Sequence, residues 1–107
     1  MFRTSTFIPY FTPVRTEYVG SSGPIQVAAP NPDRAFISFA GTSGSNLFLD
    51  YDMNATSNHY AFIVVGGGTL ELFWARHGIL TTLAWFWFPI GAGSPLTVTE
   101  LLWMPGE

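Results

Sequence analysis

RAFISFAGTSGSNLFLDYDMNATSNHYAFIVVGGGTLELFW, residues 34–74, alternates short apolar runs with clusters of Gly, Ser and Asn. RAFISFA, NLFLDYD, HYAFIVV and TLELFW are each strand-length, and GTSGS, MNATSN and GGG part them. That spacing is the signature of an all-β sandwich or barrel. Within TLELFW, Leu70, Leu72 and Trp74 point one way and Thr69, Glu71 and Phe73 the other, the period of a half-buried strand. LTVTELLW repeats it, with Leu96 and Val98 opposite Thr97 and Thr99. No window sustains an apolar stripe of helical period, so helix content should be near zero. The triple glycine 66–68 reads as a tight hairpin connection.

Towards the amino terminus, residues 1–30 carry prolines at 9, 13, 24 and 30, which fix φ and remove backbone donors. Phe7, Tyr10, Phe11 and Tyr18 make this a poor candidate for disorder. The expectation is an extended arm over 1–30 that packs on something, followed by a small antiparallel β-sandwich or jelly-roll-like domain over 31–107. MFRTSTFIPYFTPV has no uninterrupted apolar stretch and does not read as a signal peptide.

Towards the carboxyl terminus, LAWFWFPIGAG (83–93) sets four large aromatics in a row. In a strand, Trp85 and Trp87 face one side and Phe86 and Phe88 the other, so both sides are apolar. One can fill the core; the other must meet the arm or another chain, because so large an exposed patch is rare on monomers. The apolar stretch 79–90 holds twelve residues, short of the roughly 20 that span a bilayer as a helix.

Composition narrows the function. The chain has 107 residues, enough for one domain, with 48% hydrophobic and only 10% charged residues and a net charge of −3. All four basic residues are arginines and lysine is absent, which suits a surface largely covered by partners. Four dispersed arginines argue against nucleic acid. No cysteine is present, so packing alone must hold the fold.

Little points to catalysis or metal. Asp50, Asp52 and Asn54 begin like a calcium loop, but Ala55 and Ala61 stand where its glycine and bidentate glutamate belong. His59 and His77 are too few for a metal cluster, and ARHGIL around His77 looks like a turn. No Gly-x-Ser-x-Gly elbow exists. We expect no enzyme activity, no cofactor and no metal.

Asn31-Pro32-Asp33-Arg34 leading into FISFA, the Gly-rich turn before Thr69-Leu70-Glu71-Leu72, His77-Gly78, Trp85, Gly91-Ala92-Gly93 and Leu96-Thr97-Val98-Thr99-Glu100 together resemble small β-rich structural proteins of tailed-bacteriophage heads. The resemblance covers roughly residues 31–100. It implies a capsid decoration or cement protein on the capsid exterior, bound to the major capsid protein or another virion shell protein. A homo-oligomer, dimer or trimer, is expected, with no membrane and no nucleic-acid partner. Phe7, Tyr10, Phe11, Tyr18, Trp85, Phe86, Trp87 and Phe88 are the candidate interface residues. Alternatives are a head-fibre, tail or connector component, or a carbohydrate-binding sandwich in which Trp85, Trp87 or Trp103 stacks on sugars beside Asp50 or Asp52.

Overall fold

The structure is a computed structural model that describes residues 11–20, 23–41, 46–65, 68–89 and 95–103. Eight strands run in chain order: β1 Phe11–Val19, β2 Ile25–Ala28, β3 Arg34–Gly41, β4 Leu47–Asp50, β5 Phe62–Val64, β6 Thr69–Phe73, β7 Trp85–Phe88 and β8 Pro95–Trp103. Their antiparallel partners are nested, β1 with β8, β2 with β7, β3 with β6 and β4 with β5. This is one long hairpin, its tip the 51–61 connection, rolled up so that β3 also joins β8 and β4 joins β7. Two four-stranded sheets result, β1-β8-β3-β6 and β2-β7-β4-β5, the jelly-roll form of the sandwich.

The period of two works as the sequence predicts. Leu72, Leu96, Val98, Ile37 and Phe39 all turn into the core, and Thr69, Glu71, Thr97 and Thr99 turn out. Trp85 and Trp87 sit at the centre of the sandwich, 0% and 1% exposed. Burying roughly 200 Å² each, they stabilise by on the order of 5 kcal/mol apiece before entropy is subtracted. Phe39 and Phe62 pack on Trp85 at ring separations of 5.7 and 5.8 Å, and its indole N–H donates to the Leu80 carbonyl at 3.1 Å. Among the described residues the Trp87 indole N–H has no acceptor.

Three expectations change. Residues 11–28, read as arm, are extended but supply β1 and β2, one to each sheet, so the domain boundary at 30/31 does not hold. Pro13 is no obstacle because β1 is an edge strand. The 66–68 connection joins no hairpin: β5 and β6 lie in different sheets, and the Gly68 N–H donates to the Val65 carbonyl at 2.9 Å. A Cβ at Gly68 would lie 2.9 Å from that carbonyl oxygen, hence the glycine.

The third change concerns Trp74, which leaves the strand. It opens a single α-turn, α1 (Trp74–His77), continued by a 3-10 turn over Gly78–Thr82. His77 folds back so that its Nδ1 accepts the Phe73 N–H at 2.9 Å. Gly78, at φ 59°, ends the turn by donating its N–H to Trp74 O, a conformation that β-carbons disfavour.

Candidate interaction surface

With both tryptophans inside, the outer faces of the two sheets decide what the protein can touch. On the β1-β8-β3-β6 sheet the register sets side chains in rows across the strands. One row reads Arg15, Thr99, Ser38, Glu71 and the next Glu17, Thr97, Ala40, Thr69. These hydroxyls, small groups and charges suit water. The apolar rows lie at the ends, Pro13, Leu101, Phe36 and Phe73 nearest α1 and Val19 with Pro95 at the other, with Phe36 and Phe73 in ring contact at 5.1 Å and His77 stacked on Phe73.

The β2-β7-β4-β5 sheet is different. Its outer rows read Gln26, Phe86, Asp50 and Phe88, Phe48, Ile63. The second apolar face expected from the aromatic row is therefore present, but part of its cover comes from an unexpected source. The 51–61 connection folds back over β4: Tyr60 packs on Phe48 at 5.1 Å, and Ala61 N–H donates to the Leu49 carbonyl at 2.9 Å. His59 lies over the buried Asp50, Nε2 to Oδ2 3.3 Å, with Asp52 Oδ2 at 3.7 Å. Thr56 and His59 bond each other's backbone twice, at 2.8 and 3.2 Å, which holds the loop in this shape. Phe48 is thus buried although it faces outward, while Phe86 and Phe88 are half-buried and Ile63 and Tyr60 are exposed.

Each candidate interface residue can now be placed. Phe86 and Phe88 lie on this outer face. Trp85 and Trp87 do not: they are core residues, because the inward side of β7 is the one that meets the opposite sheet. Tyr18 is half-buried and packed against the core, its hydroxyl donating to the Val27 carbonyl at 3.0 Å across the two sheets. Burial and the nearby Glu100 carboxylate push its pKa up from 10.0, and a hydrogen bond with Thr16 opposes them. Phe11 begins β1 opposite Trp103, and Phe7 and Tyr10 lie outside the described residues.

The sugar-stacking arrangement loses part of its residues for the same reason. Trp85 and Trp87 offer no face to a ligand, and Asp50 is covered by His59, which leaves Trp103 and Asp52 as the exposed members of that set. Asp52 and Asn54 form an Asx turn, Asn54 N–H to Asp52 Oδ1 2.9 Å, and no group of three metal-binding side chains occurs among the described residues.

Sequence reasoning missed Arg34, whose guanidinium is the hub of the molecule. It is 2% exposed. Its Nε donates to Glu100 on β8 at 2.7 Å, one terminal nitrogen to the carbonyls of Thr81 and Leu83 at 3.1 and 2.9 Å, and the other to the Ala29 carbonyl at 2.6 Å. The Asn31-Pro32-Asp33-Arg34 turn that presents it is tied by Asn31 Oδ1 to Asp33 N–H and by Asp33 O to Trp103 N–H. An arginine entering a strand directly after a Pro-Asp turn was the available signal.

No family model matches the sequence, and no curated protein matches it. A solved structure of a chain from Bacillus endospore appendages, a family of disulfide-linked pili, is similar to this chain with a TM-score of 0.50. The likeness covers 90% of this chain and 88% of that one at 7% identity, and it is one of fold.

Proposed function

We propose that this chain is a non-enzymatic structural subunit of a multi-copy assembly, and specifically a capsid cement or decoration subunit on the exterior of a tailed-phage head. The observation that carries the reading is the outer face of the β2-β7-β4-β5 sheet, where Phe86, Phe88, Ile63 and Tyr60 stay within reach of a partner. A chain with 10% charged residues and no lysine is suited to being covered. The appendage chain of similar fold belongs to a pilus, which supports an assembled structural role; its disulfide linkage has no counterpart here, since this chain has no cysteine.

In this reading Phe86 and Phe88 bury against the major capsid protein or another shell protein, and residues 1–10, with Phe7 and Tyr10, add a second contact to a neighbour. The test is co-sedimentation of the purified chain with capsids that lack it. The wild-type chain co-sediments, and a Phe86→Ser/Phe88→Ser variant with unchanged circular dichroism does not. Equal occupancy by both, or failure of the wild type to bind, would sink this reading.

A further inference from the structure

The bare edge of β1 has a pattern of its own. β1 pairs with β8 in unbroken register over all nine residues, Phe11 opposite Trp103 to Val19 opposite Pro95, and ends the strand order of its sheet. Pro13 stands inside this ladder opposite Leu101. Proline has no N–H, so that position must be one whose backbone groups turn away from β8. By alternation, Arg15, Glu17 and Val19 also turn their N–H and C=O groups outward, where they are open to pairing.

The side chains at this edge are self-complementary. Arg15 and Glu17 share the outer face, are exposed, and face only Thr99 and Thr97 on β8; among the described residues neither makes an ion pair. Val19 is 66% exposed and Val14 36%, unusual for β-branched apolar groups with no cover.

We propose that β1 is the seam of a two-fold dimer, pairing antiparallel with β1 of a second copy about an axis through Thr16. In this register Arg15 lies opposite the second copy's Glu17 and the reverse, giving two identical cross-strand charge pairs. Val19 meets Pro13, where the missing proline N–H leaves a single backbone bond, Val19 N–H to Pro13 C=O, and Val14 meets Tyr18, so the exposed valines are covered. Arg15 and Glu17 exchange both backbone hydrogen bonds across the seam, because both present their N–H and C=O there. The two sheets become one of twice the width, β6-β3-β8-β1 continued by the same order reversed. Such isologous closure needs one patch that complements itself, and a strand with opposite charges two residues apart, centred on a small residue, is one. The seam is independent of the aromatic face and of any shell partner.

The absence of cysteine makes the register directly testable. In the proposed seam the two Thr16 residues form a non-hydrogen-bonded pair with Cα atoms roughly 4.5 Å apart, within disulfide reach. The two Val14 residues are offset by four positions, about 13 Å, and are out of reach. Under mild oxidation Thr16→Cys yields a covalent dimer and Val14→Cys does not; a Thr16→Cys chain that stays monomeric, or both linking equally, overturns the proposal. In sedimentation dilution series, Arg15→Glu and Glu17→Arg each raise the dimer dissociation constant about ten-fold or more, since each sets like charges face to face twice. Mixing the two variants restores a dimer. A dissociation constant unchanged by Arg15→Glu in a chain with intact circular dichroism refutes the seam.

Discussion

The two outer faces obey one strand period and carry opposite chemistry. In the middle of the β1-β8-β3-β6 sheet the outward residues of β8 and β6 are Thr97, Thr99, Thr69 and Glu71; on the β2-β7-β4-β5 sheet those of β7 and β4 are Phe86, Phe88, Phe48 and Asp50. The middle of the first face needs nothing over it. The second would leave aromatic rings and a carboxylate side by side, and the chain solves part of this by folding its own 51–61 connection over β4. The lesson is that an outward apolar position is not yet an interface. Phe48 is outward and satisfied within the chain, whereas Phe86 and Phe88 are outward and only half covered.

The largest effect should come from the hub that joins the faces. Arg34→Met removes the guanidinium shared by Glu100, Thr81, Leu83 and Ala29 and should cost about 3–5 kcal/mol, since it leaves a carboxylate and three carbonyls without their donor. Urea unfolding would measure it, and a loss under about 1 kcal/mol would mean the sheets are joined mainly by the core. Next, Phe48→Ala should cost about 3 kcal/mol, as a core substitution does, while Thr99→Ala on the opposite face stays within about 0.5 kcal/mol. Equal effects would erase the distinction between the faces.

The two tryptophans offer a finer comparison on the inner side of the same strand. Trp85→Phe loses packing and the bond to the Leu80 carbonyl, whereas Trp87→Phe loses packing but also removes an unpaired buried N–H, which costs about 1–3 kcal/mol where it stands. Thermal denaturation should therefore rank Trp85→Phe as the more damaging by about 1 kcal/mol or more.

A modest effect belongs to Tyr18, which ties β1 to β2 by its bond to the Val27 carbonyl. Tyr18→Phe should cost about 1 kcal/mol at neutral pH. Its folded pKa is raised above 10.0, chiefly by burial and then by Glu100, so the folded state holds the phenol proton more tightly than the unfolded chain does. That contribution is complete below the unfolded value and is lost as pH rises through the folded one. The wild-type chain should thus lose stability faster than Tyr18→Phe above about pH 10; parallel alkaline limbs would remove this account.

Much of this was legible in the sequence. The all-β class followed from strand-length runs between Gly, Ser and Asn clusters, and the inward sides of β6 and β8 followed from alternation at Leu72, Leu96 and Val98, whereas β7, apolar on both sides, left open which side fills the core. These are local properties, because the side to which a strand residue points depends only on its neighbours along the chain. What tertiary structure alone decided is which strand meets which. It made β1 and β2 sheet strands instead of an arm, put β5 and β6 in different sheets, laid Tyr60 over Phe48, and closed Arg34 around carbonyls from residues 29, 81 and 83. Pairing joins residues far apart in the chain, and a period of two names a side without naming a partner.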